Sequence, residues 1–96
     1  MIYTVNVGDA ATKALRAIAK GDAERIRAKL RALAVDPRPP GAERMQGSDG
    51  ELRIRVGDYR VIYEVNDGAL VVLVITIGHR REVYRGAARR RGEGRP

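Results

Sequence analysis

The stretch Glu51 to Tyr84, ELRIRVGDYRVIYEVNDGALVVLVITIGHRREVY, alternates apolar and polar residues between two hairpin signals. Period-two alternation sends successive side chains to opposite faces of a strand, so each run declares one apolar face. Gly57-Asp58 suits a two-residue turn with glycine first, and Asp67-Gly68 a two-residue turn with positive φ at both positions. These turns predict a register that can be counted. Around the first, Val56 pairs with Tyr59, Arg55 with Arg60, Ile54 with Val61 and Arg53 with Ile62. Around the second, Val65 pairs with Leu70, Tyr63 with Val72, Val61 with Val74 and Arg60 with Ile75. One face then carries Leu52, Ile54, Val56, Val61, Tyr63, Val65, Leu70, Val72 and Val74. The other carries Arg53, Arg55 and Arg60, with Arg55 directly opposite Arg60. Like charges so placed destabilise a sheet. Folding does not account for them; an anionic partner does.

The third strand is predicted to end at Ile77, beside the Gly57-Asp58 turn, so Gly78-His79-Arg80-Arg81 emerges next to Arg55 and Arg60. Extended geometry continued past Gly78 would put His79 and Arg81 on the arginine face, with Tyr84 a few residues on. Several guanidinium groups, one imidazole and one phenol at one sheet end suit a phosphodiester. Planar guanidinium forks grip phosphate oxygens bidentately and stay charged at any working pH.

Working outward, Ile2 to Val7 alternates as a first strand. Asp9 is positioned to cap a helix over about Ala10–Ala19, Gly21 to break it, and Asp22 to cap a second helix to about Val35. Their stripes, Ala11, Leu15 and Ile18, then Ile26, Leu30 and Leu33, would cover the apolar sheet face as an antiparallel helix hairpin. Arg25, Arg27, Lys29 and Arg31 fall on the outer parts of the second helix, as a solvated face or a secondary contact to RNA backbone. Residues 36–50, DPRPPGAERMQGSDG, read as a connector inside one domain, because the helices cannot bury their stripes without the later strands. The expectation is an α+β fold over residues 1–86, followed by a basic, flexible tail over 87–96.

The chain has 96 residues, no cysteine and one histidine. Disulfides and thiolate metal sites are excluded, a reducing cytoplasm is the expected home, and no metal or other cofactor is implied. The first residues, MIYTVNVGD, lack the charged start and apolar core of a signal peptide, and no apolar run is long enough to span a bilayer. The net charge of +7 favours polyanions, nucleic acid above all.

The order strand, helix hairpin, Pro/Gly connector and three meandering strands ending in GHRREVYR resembles the RelE/ParE superfamily of bacterial and archaeal toxins. The resemblance covers about residues 1–86 and is most specific in LRIRVGDYRVIYEV (Leu52 to Val65) and IGHRREVYR (Ile77 to Arg85). The YR on the middle strand, the basic cluster and the late VY look more like the RelE branch. That resemblance implies a ribosome-dependent endoribonuclease that cuts mRNA in the decoding site, with mRNA, ribosomal RNA and a cognate antitoxin protein as partners. It also implies roles for particular residues. Arg53 and Arg55 fall where RelE-like toxins often have lysines, Arg60 matches the arginine that binds the scissile phosphate, and Tyr84 matches a tyrosine proposed as general base. Arg80 matches the arginine after the strand-end glycine, with Arg81 beside it as the other choice, and His79 stands where some relatives are basic. Arginine stabilises charge but does not shuttle protons, so proton transfer would fall to His79 and Tyr84. The expected chemistry is metal-independent attack of a ribose 2′-hydroxyl on the adjacent phosphate. The alternatives are a ParE-like toxin that inhibits gyrase without nuclease activity, and an inactive module that only binds antitoxin.

Overall fold

A computed structural model describes residues 2–47 and 50–79. Strand β1 (Thr4–Val7) leads into helices α1 (Asp9–Ala17) and α2 (Lys20–Val35), followed by β2 (Glu43–Arg44), β3 (Leu52–Val56), β4 (Tyr59–Asn66) and β5 (Val71–His79). The strands form one sheet in the order β1-β5-β4-β3-β2. Every pairing is antiparallel except β1 with β5, so the fold is α+β with a mainly antiparallel sheet, as expected.

The helices pack on one sheet face because their apolar residues recur at helical spacing. Ala23, Ile26, Leu30 and Leu33 of α2 and Ala11 and Leu15 of α1 are buried against Leu52, Ile54, Val61, Tyr63, Val72, Val74 and Ile77. Each fully buried Val, Leu or Ile is worth roughly 1.5–3 kcal/mol. This packing, more than helix propensity, holds two short helices in place. The helix boundaries differ from the sequence expectation. The break falls at Ile18 and Ala19, both with extended ψ, and Gly21 lies inside α2. Neither helix has a side-chain cap, so Asp9 and Asp22 act in the first turns, where their charge suits the helix dipole. Ile18 leaves the helix to pack against the core, and that contact outweighs the glycine.

The connector contains structure that its composition concealed. Its Glu43–Arg44 pair forms the edge strand β2, with Glu43 across from Arg53 and Arg44 across from Leu52. Upstream, the Tyr63 hydroxyl donates to the Pro37 carbonyl at 2.7 Å, and burial pushes that phenol's pKa up to about 12. Arg38 donates through both terminal nitrogens to Asp67, at 3.1 and 3.0 Å, and Tyr3 donates to the same carboxylate at 2.7 Å. Asp67 is held below the usual carboxylate range, chiefly by the Arg38 hydrogen bond and then by Tyr3. The proline-rich segment is thereby pinned to the β4–β5 loop and to the chain's start.

The first turn is as expected. Gly57 has φ of +61°, and Val56 pairs with Tyr59, Arg55 with Arg60, Ile54 with Val61 and Arg53 with Ile62. The second is longer than the Asp67-Gly68 signal predicts. Asn66 pairs with Val71, the side-chain oxygen of Asn66 accepts from the Ala69 N–H at 3.0 Å, and Leu70 takes the positive φ, +56°. A left-handed leucine costs about 1–2 kcal/mol, and the anchored loop sustains it. Val65 therefore pairs with Val72 and Tyr63 with Val74, two residues from the predicted register. A bulge at Ile75 adds one more, so Val61 meets Ile77, Arg60 meets Gly78 and Tyr59 meets His79.

Among the described residues, no helix is long and apolar enough to cross a membrane. The expected basic tail, 87–96, lies outside the described residues.

Candidate nucleic-acid interface

The sheet face turned away from the helices carries Arg53 and Arg55 of β3 and Arg60 of β4, and the register confirms Arg55 opposite Arg60. On its other side Arg60 faces Gly78, which has no side chain, so the middle arginine is flanked by a cation and a glycine. Arg60 is half-buried and Arg55 exposed, its Nε donating to the Gly57 carbonyl at a long 3.4 Å. Beneath them Ile62, between Arg53 and Thr76 in the register, is fully buried. The arginines thus surround an apolar floor at the Gly57-Asp58 end of the sheet.

Glu43 completes this end of the face, and sequence reasoning missed it. Its Oε1 accepts from the Arg53 Nη2 at 2.7 Å. The Arg53 hydrogen bond, the Arg53 charge and then the Arg60 charge hold its carboxyl below the usual range. Between Pro39 and Glu51 the composition is that of a connector, which gives Glu43 no register. The available signal was an alternating ER beside a strand start, too short to separate from loop.

Charge reverses along β4. Beyond Ile62 the same face presents Glu64, across from Leu73, and the strand leads into Asp67. On this face, among the described residues, the positive charge gathers at the Gly57-Asp58 end.

The parity expected for His79 is corrected by the structure. His79 pairs with Tyr59, whose ring it meets edge-on, with centroids 6.1 Å apart and an interplanar angle of 81°. Tyr59 packs against the helix-side core, so His79 shares that parity rather than the parity of Arg60. The bulge at Ile75 is the cause, because one extra residue exchanges the faces of everything after it. Arg80, Arg81 and Tyr84 lie outside the described residues. Among the described residues, no group of three or more His, Cys, Asp or Glu is placed to hold a metal ion.

The cations of α2 behave differently. Arg25 pairs with Asp22, and Arg27 lies 3.8 Å from Glu24. Arg27 and Arg31 border a groove of about 400 Å³ whose other walls are Val5, Val7, Leu15, Leu30 and Ala34. This groove lies between β1 and α2, away from the arginine face.

Comparison with known proteins agrees with this architecture. A family model described as the ParE toxin of the type II toxin-antitoxin system, parDE, matches residues 5–84. The mRNA interferase toxin RelE of Escherichia coli strain K12 is 31% identical over 94% of this chain and 98% of its own length. A mutant E. coli RelE solved in the free state superposes with a TM-score of 0.75 at 29% identity, covering 94% of this chain and 98% of that one. The RelE of an archaeal RelE–RelB complex from Pyrococcus horikoshii gives 0.73 at 29% identity, covering 83% and 97%.

Proposed function

Because this chain belongs to the ParE toxin family of type II toxin-antitoxin systems, within the RelE/ParE superfamily and nearer its RelE branch, we propose that it is an mRNA-cleaving toxin working on the ribosome. The observation that carries the reading is Arg55 set opposite Arg60, with Arg53 beside them. Like charges set side by side on one face are what a phosphodiester's oxygens can bridge. Arg60 binds the scissile phosphate and stabilises charge on its oxygens as the 2′-hydroxyl attacks, while Arg53 and Arg55 hold the flanking backbone. Arg80 or Arg81, and Tyr84, join this site by resemblance. His79, on the other parity, is assigned no proton in this reading.

A cognate antitoxin is the expected partner, since RelE relatives have been solved with RelB. An acidic, amphipathic segment would match both the arginine face and the groove bordered by Arg27 and Arg31. The cytoplasm, where mRNA is translated, is the proposed site of action.

The test is induction in cells with mapping of new mRNA 5′ ends, set beside a gyrase supercoiling assay. New ends within translated messages, with supercoiling intact, are expected. Loss of supercoiling without new ends would instead establish the ParE-type activity.

A further inference from the structure

The structure assigns Glu43 as the proton acceptor of the cleavage step, a role that rests on the ribonuclease reading above. β2 is two residues long, and its pairing with β3 puts Glu43 directly across from Arg53, on the face that holds Arg55 and Arg60. The 2.7 Å hydrogen bond to Arg53 fixes one carboxylate oxygen, yet the side chain stays 66% exposed, within reach of a ribose hydroxyl laid on the arginines. A carboxylate beside the guanidinium groups that grip a phosphate is placed to take the neighbouring 2′-proton.

Among the described residues, the other acidic and basic groups near this face are less well placed. Glu51 is buried, with 6% exposure. Glu64 lies past Ile62, across from Leu73, in the half of the face without arginines. Asp58 sits in the turn, beyond the Arg55–Arg60 pair. His79 pairs with Tyr59 on the helix-side parity. Arg44, next to Glu43 on the strand, pairs with Leu52 and so has the opposite parity. Among the described residues, the charged groups facing Glu43 are therefore Arg53 and Arg60, with Arg55 beside them.

The step balances. The Glu43 carboxylate takes the 2′-hydroxyl proton as the 2′-oxygen bonds to phosphorus, and the bond from phosphorus to the 5′-oxygen breaks. The leaving oxygen takes a proton from water, and protonated Glu43 returns its proton to solvent. The products are a 2′,3′-cyclic phosphate and a 5′-hydroxyl. The two arginines favour the carboxylate form, so the acceptor stays ready for a proton well into mildly acidic solution.

Single-turnover cleavage of ribosome-bound mRNA by the full chain tests this. Glu43→Gln keeps an oxygen that accepts from Arg53 but removes the proton acceptor. It is expected to slow cleavage by about 10²-fold or more, with unchanged apparent affinity for the programmed ribosome and an unchanged melting temperature. Glu43→Asp should recover part of the rate, which separates a missing base from a misplaced Arg53. Wild-type rate should hold within about threefold from pH 7.5 to 5.5, whereas an imidazole acceptor with a pKa near 6.5 would lose about tenfold per unit below it. A Glu43→Gln rate within about threefold of wild type, or a steep acid limb that Tyr84→Phe or His79→Gln removes, overturns the assignment while leaving the ribonuclease reading intact. Failure of the wild-type chain to cleave any message overturns both.

Discussion

The two ends of β4 treat their arginines in opposite ways. At the Asp67 end, Arg38 is held by two hydrogen bonds to a carboxylate that also takes the Tyr3 hydroxyl, so the cation is spent on joining three segments. At the Gly57 end, Arg55 and Arg60 face each other, and Glu43 bonds to Arg53 and feels the charge of Arg60. The first arrangement is what folding selects. The second sets two like charges opposite each other, a repulsion that the proposed RNA substrate would relieve. One strand thus carries a structural joint at one end and the proposed phosphate site at the other.

Substituting at each end should therefore separate stability from activity. The largest effect is expected from Arg60→Ala, which should reduce mRNA cleavage by roughly 10²–10³-fold and relieve growth arrest. Its melting temperature should stay close to that of the wild type, because the repulsion from Arg55 and the attraction to Glu43 are lost together. A variant that unfolds, or that still arrests growth, would erase the contrast between the ends.

Tyr63→Phe should do the reverse. It leaves the Pro37 carbonyl without its buried donor, a loss of about 1–3 kcal/mol read as a melting point roughly 5–15 °C lower, with cleavage by the folded fraction unchanged.

Asp67→Asn should lower the melting temperature less, because the joint it weakens is exposed, and the difference should depend on pH. A carboxyl whose folded pKa is depressed contributes stability above its unfolded value of about 3.9 and loses it as pH falls through the folded one. Wild-type and Asp67→Asn melting points should thus differ at pH 7 and converge on acidification below about pH 4, as thermal melts across that range will show.

His79→Gln should have the smallest effect. With the imidazole on the parity of Tyr59, single-turnover cleavage should change by no more than about twofold, far below the loss of a proton-transfer group.

The apolar face was legible because strand parity survives an even error. The four-residue β4–β5 loop moved Val72 opposite Val65 instead of Tyr63, a slip of two, so Val72 and Val74 stayed on the core face while Leu70 passed into the loop. The Arg55–Arg60 pairing was legible for a simpler reason: Gly57 supplies the positive φ that a two-residue turn beginning with glycine demands. His79 was not legible. A bulge is a slip of one, and nothing in VVLVITIG marks Ile75 as the extra residue. Glu43 escaped because a two-residue strand has no periodicity to read and is created by its partner β3. The break between the helices was misplaced at Gly21 because a local propensity was set against the burial of Ile18, and burial prevailed.

The brevity of β2 also bears on how the molecule behaves in a crowd. An outer strand offers unpaired N–H and C=O groups to any other chain, and long apolar edges invite stacking into aggregates. Here that border is two residues, and both are charged, with Glu43 facing one way and Arg44 the other. A second copy adding its own β2 alongside would gain little ladder and would bring like charges together. The residue assigned to proton transfer therefore also keeps this edge closed to self-association. Replacing Glu43 with valine would be expected to cost colloidal solubility as well as catalysis.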